Sequence, residues 1–181
     1  MEVEILKYPT QEDWKWVKTC TLNTVGKTSV KDPTIDWERK LLKAEHSPIR
    51  ELWFGIKMKV PYYVMGHFVR HHIGCNHYVQ TQRDDRTNNP IPRAELPQGA
   101  EVSYILSINA QELMFLARKR LCMQAAEETR QVVKEIVRQV EELCPEFKGL
   151  FGPLCQYRNG ACDEFYCCGL NKKFEKKQNC C

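Results

Sequence analysis

The chain has 181 residues, 43% of them hydrophobic, and carries a formal charge of +4. That suffices for the core of one ordinary domain, and an excess of four basic side chains is far below what a dedicated nucleic-acid-binding domain shows. Charges or prolines interrupt the apolar runs, and the stretch from Met1 to Lys7 is short and acidic. The expectation is a cytoplasmic protein with no signal peptide, no membrane span and no nucleic-acid partner, for which a small anionic ligand is the natural match.

In chain order, Glu2 to Leu6 alternates charged and apolar residues as a half-buried strand does, and Gln11 to about Leu22 places Trp14 and Val17 at helical spacing. Asp32-Pro33-Thr34 is a helix start, followed by Trp37, Leu41 and Leu42. The clearest strand is Glu51 to Val60, where Leu52, Phe54, Ile56, Met58 and Val60 recur with period two. Pro61 then permits a helix, predicted over Tyr62 to His72 and ending near Gly74.

Asp84 to Gln98 is rich in Asp, Asn, Arg and Pro without apolar periodicity, and reads as a loop. Val102, Tyr104, Leu106 and Ile108 alternate as a second strong strand, and Asn109 is placed to cap a helix that buries Leu113, Leu116, Ala117 and Leu121. A last helix carries Val133, Ile136, Val137, Val140 and Cys144 and closes at Pro145. The expected organisation is an α+β domain over 1–145, its antiparallel or mixed sheet packed with helices, and a Cys-rich extension over 146–181.

Arg70-His71-His72 leads into Cys75, Asn76, His77, Thr81, Gln82 and Arg83. On residue chemistry alone this is either a solvated basic helix end, complementing the helix dipole, or a phosphate site built from guanidinium forks and imidazole donors. Arg120 likewise reads either as a surface arginine pairing with Glu127 or Glu128, or as a site residue. His67, one turn before Arg70, is within reach of the same ligand.

Four elements in order give these residues a common meaning: His46-Ser47-Pro48 before a strand, Arg70-His71-His72, Arg93-Ala94-Glu95-Leu96-Pro97, and Asn109 opening a helix that leads through Arg120 to Ala125 and Glu128. From about Glu45 to about Leu143 this order resembles the flavin-dependent thymidylate synthases. The resemblance implies that Ser47, Arg70, His71, His72 and Asn109 contact a flavin (FAD). It further implies that Thr81, Gln82, Arg83 and Arg93, with His67, hold the nucleotide, and that Arg120 faces the uracil as the catalytic cation. It also implies a homotetramer with sites between subunits, dUMP as substrate, methylenetetrahydrofolate as carbon donor and NADPH as reductant.

The chain departs from that pattern in three places. His72 puts an imidazole where the family has a third-position arginine. One inserted residue is needed to align Thr81-Gln82-Arg83 with the family's Ser-x-Arg, and the span from Arg83 to Arg93 is short where the family places helices. These departures keep two alternatives open, a different C5 modification such as hydroxymethylation, and a non-catalytic nucleotide- or metal-binding homologue.

Seven of the ten cysteines lie in the last 38 residues, which in a cytosolic chain points to metal or reduced thiols. The best tetrahedral zinc set is Cys144, Cys155, Cys162 and Cys168, with Cys167 as a substitute, while Cys180 and Cys181 read as a frayed end.

Overall fold

A computed structural model describes residues 1–170. The chain is an α+β fold with a four-stranded sheet in the order β1-β2-β4-β3, every adjacent pair antiparallel. The strands are β1 (Glu2–Lys7), β2 (Trp53–Pro61), β3 (Cys75–Val79) and β4 (Glu101–Asn109). The helices are α1 (Gln11–Asn23), α2 (Ile35–Ala44), α3 (Tyr62–Phe68), α4 (Ala110–Arg120), α5 (Glu127–Leu143) and α6 (Leu154–Tyr157). None is long and apolar enough to cross a membrane.

The central ladder pairs β2 with β4 from Trp53 opposite Asn109 to Pro61 opposite Glu101. Period-two patterning sends Phe54, Ile56, Met58 and Val60 to the same side as Val102, Tyr104, Leu106 and Ile108, all buried. The helices close over that side, so the other face keeps Lys57, Lys59 and Glu101 in solvent. Helix α1 begins at a reciprocal capping box between Thr10 and Asp13, and α2 at the side chain of Thr34, as the helix-start signal predicts. Helix α5 buries Val133, Ile136 and Val140, with Val137 at the margin.

Two expectations need correction. The helix predicted over Tyr62 to His72 ends at Phe68, because the chain tightens into a turn in which the His71 amide donates to the Phe68 carbonyl. The chain then passes Gly74 at φ +74°, a left-handed conformation that glycine adopts without penalty. A Cβ at Gly74 would lie 2.4 Å from Asn109 Nδ2, so the position also needs the missing side chain. The second correction is β3, an edge strand where no strand is predicted, paired to β4 from Cys75 opposite Ile108 to Val79 opposite Tyr104. Its inward positions are Cys75, His77 and Val79, and this mixed chemistry hides the alternation.

Past residue 145 the chain stays on the core. Phe147 is fully buried, edge-on to Phe54 at 5.4 Å, and Glu146 accepts a 3.0 Å hydrogen bond from the Trp14 indole. Cys180 and Cys181 lie outside the described residues.

Candidate functional site

Two stretches about forty residues apart in the chain supply most of one cavity's wall. The first is the turn between α3 and β3, which presents Arg70, His71 and His72; the second is α4 and its exit, which present Glu112, Phe115, Lys119 and Arg120. The cavity is open to solvent and about 510 Å³ in volume, within the range of small-molecule sites. Asn109 fixes the start of α4, its Oδ1 accepting from the Glu112 amide at 2.9 Å. Because Asn109 also pairs with Trp53 in the sheet and its amide donates to the Gly74 carbonyl, one residue ties the helix to the His71 turn.

Arg120 is half-buried and has no carboxylate in ion-pair distance among the described residues. Its Nε donates to His71 Nε2 at 3.2 Å, and its terminal nitrogen donates to the His67 carbonyl at 2.8 Å. The pairing with Glu127 or Glu128, one of the two readings of this residue, is not formed; Glu127 instead pairs with Arg130. Burial, followed by the nearby Arg70 cation, lowers the pKa of Arg120. Two guanidiniums beside an open cavity, with no carboxylate among the described residues paired to Arg120, could receive an anion, although Glu112 and Glu164 also line the wall.

His71 is buried, and its Nδ1 lies 2.8 Å from Glu112 Oε1. Arginine can only donate, so the Arg120 contact makes His71 Nε2 an acceptor and places the ring proton on Nδ1, facing the Glu112 carboxylate. The His71 carbonyl is held in turn by the Cys75 thiol and by His77 Nε2, the latter at 2.6 Å. That bond leaves His77 Nδ1 to accept from the buried Tyr104 hydroxyl.

Residues 91–146 match the family model described as thymidylate synthase complementing protein. It is the flavin-dependent thymidylate synthase family to which the motifs point. The match covers just under a third of the chain and includes Arg93, Asn109 and Arg120, while Arg70-His71-His72 lies outside it and meets Arg120 only in space. No curated protein matches the chain.

The other residues expected from thymidylate synthase motifs are distributed unequally. His67 lies behind the cavity wall, its Nδ1 2.6 Å from Thr129 Oγ1, and burial together with Arg120 and Arg70 lowers its pKa, which favours the neutral ring. Ser47 is exposed in the 3-10 helix Ser47–Glu51, whose Arg50 bonds Gln111 on α4. Thr81, Gln82, Arg83 and Arg93 stand on the solvent-facing loop and do not line the cavity with Arg120. Arg83 is in a forked pair with Asp85, and the Arg93 amide donates to Asp84. Sequence reasoning missed Glu112 and Lys119; for Glu112 a signal existed, since it sits three residues past the Asn109 cap, on the face that also presents Phe115.

The zinc set is not assembled. Among the described residues no group of three or more His, Cys, Asp or Glu side chains is placed to hold a metal. Cys144 continues the apolar stripe of Ile136 and Val140 into the core, where burial and Glu146 push its thiol up to about 12. Cys155, Cys162 and Cys168 instead gather with Cys122 around a small cavity at the end of α4.

Proposed function

We propose that the protein is a flavin-dependent thymidylate synthase that methylates dUMP to dTMP, with methylenetetrahydrofolate as carbon donor, FAD as flavin and NADPH as its reductant. The observation that carries this reading is the Arg120 guanidinium, half-buried and without a carboxylate partner, on the wall of the cavity that also holds Arg70 and His72. Such a cluster suits a ligand pair that brings anionic phosphates and a ring on which negative charge develops. The cavity chemistry also fits a flavin: Arg70 and His72 are exposed donors for its phosphates, and Phe115, 42% exposed, offers a ring face.

Reduced flavin, when bound, supplies a hydride to the pyrimidine. Arg120 holds its charge beside the uracil carbonyls and stabilises the negative charge that develops there, and the His71 and His67 bonds keep it oriented before the ligand arrives. Arg83 and Arg93 lie outside this cavity, and their exposure on the 81–98 loop supports a homotetramer in which a second copy carries them to the phosphate.

The test is anaerobic incubation with dUMP, methylenetetrahydrofolate and reduced FAD, following tritium release from C5 of the pyrimidine. Release with formation of dTMP is expected. Flavin uptake without release would support the non-catalytic homologue, release with a heavier C5 product would support hydroxymethylation, and protein that takes up no flavin would exclude both enzyme readings.

A further inference from the structure

We propose that Glu112 is a positioning residue for Arg120, acting through the protonation pattern of His71. The inference deepens the reading of the cavity as a nucleotide site and rests on it for the identity of the ligand. A neutral imidazole has one donor and one acceptor nitrogen, and its neighbours decide which is which. The Glu112 carboxylate, 13% exposed, lies 2.8 Å from Nδ1 and accepts its proton, which turns the lone pair of Nε2 toward Arg120. With Glu112 absent nothing holds the proton on Nδ1. The alternative tautomer would present an N–H to the Arg120 N–H, two donors face to face, and the guanidinium would leave its present orientation.

Three observations make this a built arrangement. Glu112 is in the first turn of α4, where the helix N-terminus favours a negative charge, and its own amide is bonded to the Asn109 cap. The His71 backbone is held by Cys75 and His77, and its ring is buried and edge-on to Phe115, which limits its freedom to find another acceptor. The second Arg120 bond goes to the His67 carbonyl, which fixes where the guanidinium points once Nε is held. Glu112 makes no hydrogen bond to Arg120 among the described residues; its effect on the guanidinium passes through the ring.

The experiment compares wild type, Glu112→Gln and Glu112→Ala in the full chain, with unfolding midpoints recorded for each. The first readout is the tautomer of His71, from nitrogen NMR of histidine-labelled protein assigned with His71→Gln. The second is affinity for dUMP, and the third is tritium release. Wild type is expected to show Nδ1 protonated and Nε2 unprotonated. Glu112→Gln, whose amide oxygen still accepts from Nδ1, retains that pattern and stays within about twofold in affinity. Glu112→Ala loses the pattern and binds dUMP about tenfold more weakly, the scale of one lost hydrogen bond to a charged group. A wild-type ring protonated on Nε2, or a Glu112→Ala variant with unchanged tautomer or affinity, overturns the proposal. Both readouts stand without turnover, so absence of tritium release in wild type would count against the synthase reading and leave the relay decided by NMR and dUMP binding.

Discussion

Arg120 owes its orientation to acceptors that carry no formal charge, an imidazole nitrogen and a peptide oxygen, so its charge is left for a ligand. Glu38 shows the opposite treatment of a charge. It is 5% exposed on α2 beside the equally buried Glu146, and desolvation, then the Glu146 charge, raises its pKa to about 7. The folded state therefore holds a proton that the unfolded chain releases near the ordinary carboxylate range. The stabilisation is complete below about 4.5, declines as pH rises, and is gone above about 7. Glu38→Gln, neutral at every pH, is expected to raise the urea midpoint at pH 8 and to flatten its fall between pH 5 and 8. A midpoint at pH 8 no higher than wild type would contradict this.

At the scale of elements, most of what was legible lay where one period ran unbroken. Strands β2 and β4 and helices α4 and α5 are readable because their buried sides are mostly aliphatic or aromatic, Arg118 on α4 and Thr129 and Arg130 on α5 being polar exceptions. Strand β3 was not, because its inward Cys75 and His77 are satisfied by a polar network whose partners, Tyr104 and the His71 carbonyl, come from elsewhere in the chain. Arg118 was missed for the same reason. It faces inward at 8% exposure, forked onto Glu45 and stacked 3.7 Å over the Tyr157 ring, which ties α6 to α4. Removing one partner of such a pair leaves a buried charge alone, so Arg118→Ala should cost about 3–5 kcal/mol in denaturant unfolding. A loss below about 1 kcal/mol would mean that the pair contributes little at this position.

For the molecule as a whole, the motif order pointed to the family whose model matches residues 91–146, and the chain brings together only part of the motif set. Arg70, His71, His72 and Arg120 share a cavity, whereas Arg83 and Arg93 stand apart on a loop, a separation that a one-dimensional pattern cannot express. The homotetramer reading makes this a matter of assembly. Arg93→Ala and Arg120→Ala, each inactive alone, should regain measurable tritium release when unfolded together and refolded as mixed oligomers, because some sites then receive both arginines. Mixed oligomers without activity, from variants that each still assemble, would place the two arginines in one subunit's site or in none.

The hydrogen bonds around His71 run in fixed directions, from Tyr104 to His77, from His77 to the His71 carbonyl, from the His71 ring to Glu112, and from Arg120 to the ring. Every nitrogen of that imidazole is already engaged by protein. The histidine bonded to Arg120 thus has both ring nitrogens committed to protein partners, and neither is offered to a ligand in this arrangement. His72 is exposed, and among the described residues it is tied through Nδ1 to the Arg70 carbonyl, with Nε2 left toward solvent. The residue that departs from the arginine-bearing triplet thus gives this cavity a planar ring with a bonded Nδ1 in place of a fixed cation.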